Sequence, residues 1–279
     1  MVAAPETISE GVVDVQNHSC SQRVRILGLD IAPLTVAETL DQVDQLVRRR
    51  EPSYLITANL NYAMLSARDA RLAAVNRNAA VILADGMPLV WAAKMAGKPL
   101  PGRTTGADLV PALAARAAER GYRTFLLGSS EEAAHAAAES MCSEHPKLKI
   151  VGIESPMVNR LSSAQTAALV GRIRQRKPDI LLAALGQPKG ELWIAEHYQS
   201  IAAPVSIQIG ASLEFVSGYI QRAPGWMQRS GLEWLFRLGV EPRRLSGRYA
   251  QNGLFLLDRS ARGAWGSFRR SVPAVVGRR

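Results

Sequence analysis

Short, almost uninterrupted apolar runs recur along the chain at 54–58, 80–84, 124–127, 149–153, 180–185 and 205–209. Runs without polar alternation suit strands buried on both faces. Between most of them lie longer alanine-rich segments with helical spacing, such as 108–120, 131–144 and 162–177. Ahead of the series, 23–31 reads as a first strand. Thr35 then caps a helix running to Arg50, with Val36, Leu40, Val43 and Val47 on one face. Strand and helix in alternation predict an α/β fold: a mostly parallel, Rossmann-like sheet with helices on both faces. The chain shows no internal repeat and no low-complexity stretch.

The rhythm stops after Gly218, where Arg222-Ala223-Pro224 breaks it. A short helix is expected over 231–238, and Pro242 opens another that carries Arg243, Arg244, Arg248 and Tyr249. Three parts follow: a loose leader at 1–22, an α/β core at 23–220, and a basic helical C-terminal appendage at 221–279. Of the net charge of +10, most sits in the appendage, which holds twelve arginines, no lysine and three acids. An arginine-only tail suits forked contacts to phosphate or to anionic lipid headgroups, or nucleic acid. Leu254 to Leu257, Trp265 and Phe268 place apolar and aromatic residues among those arginines. That mixture fits a membrane-surface segment, and it equally fits helices packed on the core. No run reaches the length of a membrane span, and 1–22 lacks an apolar signal region. A cytoplasmic protein, peripheral on the inner face of the membrane, is the expectation. Cys20 and Cys142 make neither a disulfide framework nor a metal-ligand spacing with the four histidines.

Motifs narrow the chemistry. No G-x-G-x-x-G follows a strand, and neither a phosphate-binding G-x-x-x-x-G-K-[ST] nor a G-x-S-x-G elbow is present. What remains are polar and glycine residues at the strand ends, where ligands of parallel sheets bind. Asp85, between an apolar run and Gly86, could accept a proton from a hydroxyl, or it could be an ordinary turn aspartate. Thr57 and Asn59 point to one side of an extended segment, fit to hold sugar hydroxyls or a base, or to cap the strand. Glu191 opens a helix after Gly186-Gln187-Pro188, a position that suits an anion site and also suits an acid in a first helical turn.

Taken in order, the motifs resemble the WecG/TagA/CpsF family of bacterial glycosyltransferases, glycosyltransferase family 26. They are Thr57-Ala-Asn59, Ala84-Asp85-Gly86-Met87-Pro88, Arg103-Thr-Thr-Gly106-Ala-Asp108, Phe125-Leu-Leu-Gly128, Gly186-Gln-Pro188-Lys-Gly-Glu191-Leu-Trp193, Gly210, Arg222-Ala-Pro224-Gly-Trp226, Gly231-Leu-Glu233-Trp234-Leu-Phe-Arg237 and Glu241-Pro242-Arg243-Arg244. Each alone is weak, but the ordered set is specific. The resemblance implies inverting, metal-independent transfer of a hexose or acetamido-hexose. The donor would be a UDP-sugar, and the acceptor a saccharide on a polyprenyl diphosphate, in surface or exopolysaccharide synthesis. It implies Asp85 as catalytic base. Thr57, Asn59, Gly86, Gln187, Glu191 and Gly210 would form the substrate pocket, and Arg237, Arg244 and Arg248 would hold the diphosphate. No metal or other cofactor is expected.

Two departures bear on the donor sugar. The family usually reads Pro-x-Gln-Glu where this chain has Pro188-Lys-Gly190-Glu191, so either a pocket glutamine is missing or Gln187 reaches into the same space. The family's Phe-Asp after the late glycine is Leu213-Glu214 here. The chain lacks a D-x-D triplet for a divalent cation, and its arginines can stabilise a departing diphosphate instead. A tail that docks at the anionic surface and delivers those arginines is the expected switch. A basic nucleic-acid-binding protein is the competing class, supported by a pI near 10.1 but by no nucleic-acid motif. Self-association that masks an apolar surface is also expected, giving a homo-oligomer in water.

Overall fold

The computed structural model describes residues 23–271, with side chains described as far as Arg259. The leader at 1–22, with Cys20, and the side chains of Trp265 and Phe268 lie outside the described residues. Where one strand was expected over 23–31, the chain forms an antiparallel hairpin, β1 (Val24–Ile26) and β2 (Leu29–Ile31). Leu27 and Gly28 both take positive φ, 50° and 90°, and so reverse the chain after three residues. Ile26, Leu29 and Ile31 point into the core. The first helix, α1 (Val36–Arg49), starts as its sequence says: Thr35 Oγ1 accepts from Glu38 N, and the Glu38 carboxylate accepts in return from Thr35 N at 2.8 Å.

Six parallel strands follow: β3 (Ser53–Ala58), β4 (Val81–Ala84), β5 (Arg123–Gly128), β6 (Lys149–Glu154), β7 (Ile180–Ala184) and β8 (Val205–Gln208). They lie in the order β4-β3-β8-β7-β5-β6. Their continuous apolar character is the mark of burial from both sides. In β3, Tyr54 and Ile56 join one core while Leu55 joins the other. Helices α2 (Leu60–Arg68), α3 (Ala70–Asn78), α7 (Ser163–Gln175) and α8 (Lys189–Ile201) cover the first face. The other face is covered by α1, α5 (Gly106–Arg120), α6 (Glu131–Glu144) and α9 (Ser212–Val216). Each leucine or isoleucine fully buried between the layers contributes about 1.5–3 kcal/mol. Helix α4 (Met87–Met95) leans on β1 and β4 at the sheet edge.

The appendage is helical, as its sequence predicts, in three pieces: α10 (Gly225–Ser230), α11 (Glu233–Val240) and α12 (Pro242–Ser271). Gly231 takes φ 78° and ends α10, so α11 begins at Glu233 instead of Gly231. A Cβ at Gly231 would come within 2.8 Å of both Met87 and Trp91, so this glycine is also a point of close docking. Leu245 and Phe255 anchor α12 at 1% and 6% exposure, and α12 packs on α2 and α11. Leu254 and Leu257 face outward. The buried side of the helix packs on the core, and its other side leaves Leu254 and Leu257 uncovered. Among the described residues no helix is long and apolar enough to cross a membrane.

Candidate active site

The site lies beyond the carboxyl ends of β3 and β4, under the appendage. Asp85 N donates to Ala58 O at 2.7 Å and carries the β3–β4 pairing one residue past the strand. Alternation along β4 then sends the Asp85 side chain to the face of Leu83, toward α5. Gly86 takes φ 129°, a conformation that other residues rarely adopt, and turns the chain into α4. The returning segment is pinned beside Asp85, since Thr104 N donates to Ala84 O at 2.8 Å and Thr104 Oγ1 to Leu34 O. Thr105 caps α5 and donates its hydroxyl to Asp108 at 2.7 Å.

Four charged side chains from core and appendage interlock above Asp85. Arg103 pairs with Glu233 at 2.5 Å, both only 15% exposed. Arg222 pairs with Asp108 at 2.7 Å and approaches Glu233 at 3.6 Å. Asp85 keeps part of its surface open, yet protein atoms crowd it, and burial pushes its carboxyl up to about 7. Glu233 adds to the rise, Arg103 and Arg237 oppose it, and Asp108 adds a little more. A carboxylate titrating near neutrality is suited to accept a proton.

Arg237 stacks over Phe215 at 5.2 Å, with Nε unpartnered among the described residues and the guanidinium 4.0 Å from Glu241. Arg244 pairs with the same Glu241 at 2.5 Å. Arg248 belongs to this group: burial, then Arg244 and Arg237, push its guanidinium below its usual range. Tyr249 stands among the three and against Trp234. The three arginines named from sequence thus gather on one side, sharing a single glutamate, which leaves positive charge for an anion.

The remaining sequence-named residues occupy different positions. Thr57 is 1% exposed and its hydroxyl donates to Gln208 O at 2.8 Å. Asn59 caps α2, its side-chain oxygen accepting from Tyr62 N at 3.0 Å. Gln187 precedes Pro188 through a cis peptide and accepts from Asn61 Nδ2 at 3.3 Å. Gly210 turns the chain after β8 with φ 60°. Glu191 is 1% exposed, and neither carboxyl oxygen completes a hydrogen bond among the described residues. Burial holds its carboxyl up at about 8, while its own backbone amide and Gln187 pull slightly the other way from incomplete geometry.

The sequence reading assigned no role to Arg103, Asp108, Arg222 or Glu233, though it quoted all four within motifs. Their signal was complementary charge, and only the fold shows which acid meets which base. Two cavities were also missed. One, of about 330 Å³, lies at the seam of core and appendage, lined by Met87, Arg103, Gly225, Gln228 and Arg229. The other, of about 320 Å³, lies over the ends of β5 and β7, where Gly128, Ser129, Asn159, Arg160 and Lys189 line it. The helices following β5 and β7 leave on opposite faces, which opens a crevice between them. Among the described residues no three His, Cys, Asp or Glu side chains gather as metal ligands.

The model of the glycosyl transferase WecG/TagA/CpsF family matches residues 24–268. An N-acetylglucosaminyldiphosphoundecaprenol N-acetyl-beta-D-mannosaminyltransferase of Bacillus spizizenii is 29% identical over 192 residues, 69% of this chain and 73% of the relative. A protein of the same description from Staphylococcus aureus is 27% identical over 247 residues, 87% of this chain and 94% of the relative.

Proposed function

The chain belongs to the WecG/TagA/CpsF family of glycosyl transferases, and from that premise we propose that it moves a hexose or N-acetylhexosamine-type sugar from a UDP-sugar to a saccharide on a polyprenyl diphosphate. One observation carries the reading: the Asp85 carboxyl, pushed up to about 7 by burial, stands beside Arg237, itself grouped with Arg244 and Arg248. Inverting transfer needs that pair of features, a base for the acceptor hydroxyl and positive charge for the departing diphosphate. Asp85 takes the proton of the acceptor hydroxyl as that oxygen attacks the anomeric carbon, and the UDP oxygen leaves with the bonding electrons. Arginines preorganised at the leaving oxygen stabilise its charge without a metal ion.

The layout suits an extended donor. At roughly 4.8 Å per strand, Asp85 on β4 lies about 14–19 Å from the cavity over β7 and β5, too far for a single sugar to touch both. A nucleotide in that cavity, near Lys189, Arg160 and the backbone of Gly128 and Ser129, directs its sugar along the strand ends toward Asp85. The lipid-linked saccharide enters at the seam beside Arg103. The exposed Trp226, Leu254 and Leu257 fit a membrane surface that would bring the acceptor there and favour the docked appendage. The acceptor in the relatives' names, an N-acetylglucosaminyl diphosphoundecaprenol, makes that compound the first to test.

Purified protein is assayed with a panel of UDP-sugars and short-chain polyprenyl-diphosphate saccharides, with and without EDTA. Transfer from at least one pair, unaffected by EDTA, is the expected result. Absence of both transfer and nucleotide-sugar binding across the panel overturns the reading.

A further inference from the structure

Gln208 closes β8, the strand between β3 and β7. It is 1% exposed, and neither Nε2 nor Oε1 has a hydrogen-bond partner among the described residues. A buried amide left unpaired weakens a fold, so its retention asks for a reason. Gly190 stands directly over it in the first turn of α8. A Cβ at Gly190 would be driven into Nε2, Cδ and Oε1 of Gln208. Gly190 does not take a positive φ, so its backbone does not require glycine; the Gln208 carboxamide requires the room.

The turn above Gln208 is placed to matter. Gly190 N donates to Gly186 O at 2.8 Å and closes a loop holding Gln187, Pro188 and Lys189. Lys189 faces the cavity over β5 and β7, and Gln187 meets Asn61 at the end of β3. The backbone oxygen of Gln208 receives the Thr57 hydroxyl. One residue therefore touches the turn between the nucleotide-sized cavity and the strand ends leading to Asp85. Position 190 is also where the resemblance places a glutamine.

We propose that Gln208 is a positioning residue that supplies from β8 the carboxamide a glutamine at 190 would supply from α8, and that the Gly190–Gln208 pair governs which donor sugar the crevice accepts. The amide then occupies one space while its carrier moves from α8 to β8 across the helix–strand contact. This inference rests on the proposed transferase reading for its functional half. Its steric half stands on the fold alone.

Four proteins test it: wild type, Gly190→Gln, Gln208→Ala and the double variant, with Gln208→Met as a volume control. Gly190→Gln alone is expected to lower Tm, since its side chain has no room, and the double variant to recover most of that loss. Gln208→Ala and Gln208→Met are expected to lower transfer about tenfold or more and to reorder the donor panel. Gln208→Met, which removes two unpaired polar atoms, keeps or raises Tm. The double variant regains transfer to within about threefold of wild type, with KM more than kcat restored. No Tm recovery in the double variant overturns the shared amide space, whether or not transfer is seen. Wild-type transfer and donor ranking in Gln208→Met overturn the functional half. A wild type that transfers from no donor is the separate failure of the transferase reading, and the Tm comparison still decides the shared space.

Discussion

Asp85 and Glu191 stand at the carboxyl end of the same parallel sheet, and burial raises both, to about 7 and about 8. Their surroundings differ in kind. Around Asp85 lie Glu233, Arg103, Arg237 and Asp108, from the core and from the appendage, and the residue as a whole is only partly buried. Around Glu191 lie Tyr62 and Gln187, and at 1% exposure nothing outside reaches it. A raised pKa alone therefore does not mark a base. Access and a frame of charges do, and only Asp85 has both.

The largest effect expected from this contrast is at Asp85 itself. Asp85→Asn keeps shape and removes proton acceptance, and transfer should fall about 10²–10⁴-fold with an unchanged Tm or a higher one. An equal loss in Glu191→Gln would break the comparison. Next come the arginines. Arg237→Ala should lower kcat about 10²-fold, as loss of one preorganised donor does, and Arg244→Ala less, because Glu241 already engages Arg244. Steady-state kinetics with a fixed donor separate these outcomes.

A smaller effect sharpens the meaning of the charge frame. Asp85 acts as a base when deprotonated, so activity is lost as pH falls through about 7. Glu233 is the charged neighbour that raises it most, and Arg103, now tied to Glu233, is the one that first opposes it. Glu233→Gln removes a negative charge and frees Arg103, and both changes lower the carboxyl. The acid limb of the kcat/KM profile should move to lower pH, with a several-fold gain near pH 6. Because Glu233 belongs to α11, docking of the appendage and the strength of the base are then linked. An unmoved limb would separate them.

The sequence was most informative where burial dictates composition. The six sheet strands lie within a residue or two of their apolar runs, because a strand covered on both faces leaves little choice of residue type. The helix start at Thr35 was equally plain, and the structure shows Ser130 and Ser162 capping theirs in the same way, each side-chain oxygen accepting from the amide three residues on. The 23–31 segment was less legible because a reversal at Leu27 and Gly28 leaves an apolar run unbroken in the text. Asp85, Arg237, Arg244 and Arg248 could be named from their motifs, but not that Arg103, Asp108, Arg222 and Glu233 would interlock over them. Those pairings span up to 130 residues and exist only once the appendage lies on α4 and α5. The contact of Gly190 with Gln208 was invisible for the same reason: a glycine in one helix and a glutamine in one strand carry no joint signature until packed.

The smallest effect on activity, and the clearest on stability, is expected at Glu191. Its folded carboxyl keeps a proton to about 8, while in the unfolded chain the group ionises near 4.5. The folded state thus binds more protons between those values. Its contribution to stability is complete below about 4.5 and declines as pH rises toward 8, by up to roughly 1.4 kcal/mol per pH unit for one such group. Asp85 adds a decline of the same sign, ending near 7. Glu191→Gln keeps the shape of the neutral acid and has no proton to lose. Transfer should stay within about twofold of wild type, because at neutral pH the native group is already uncharged. Denaturant unfolding at pH 5, 6, 7 and 8 should show a shallower decline in the variant, with the two proteins diverging most at pH 8. Parallel declines would mean that Glu191 finds a charge partner when ionised, and the contrast with Asp85 would then be one of degree.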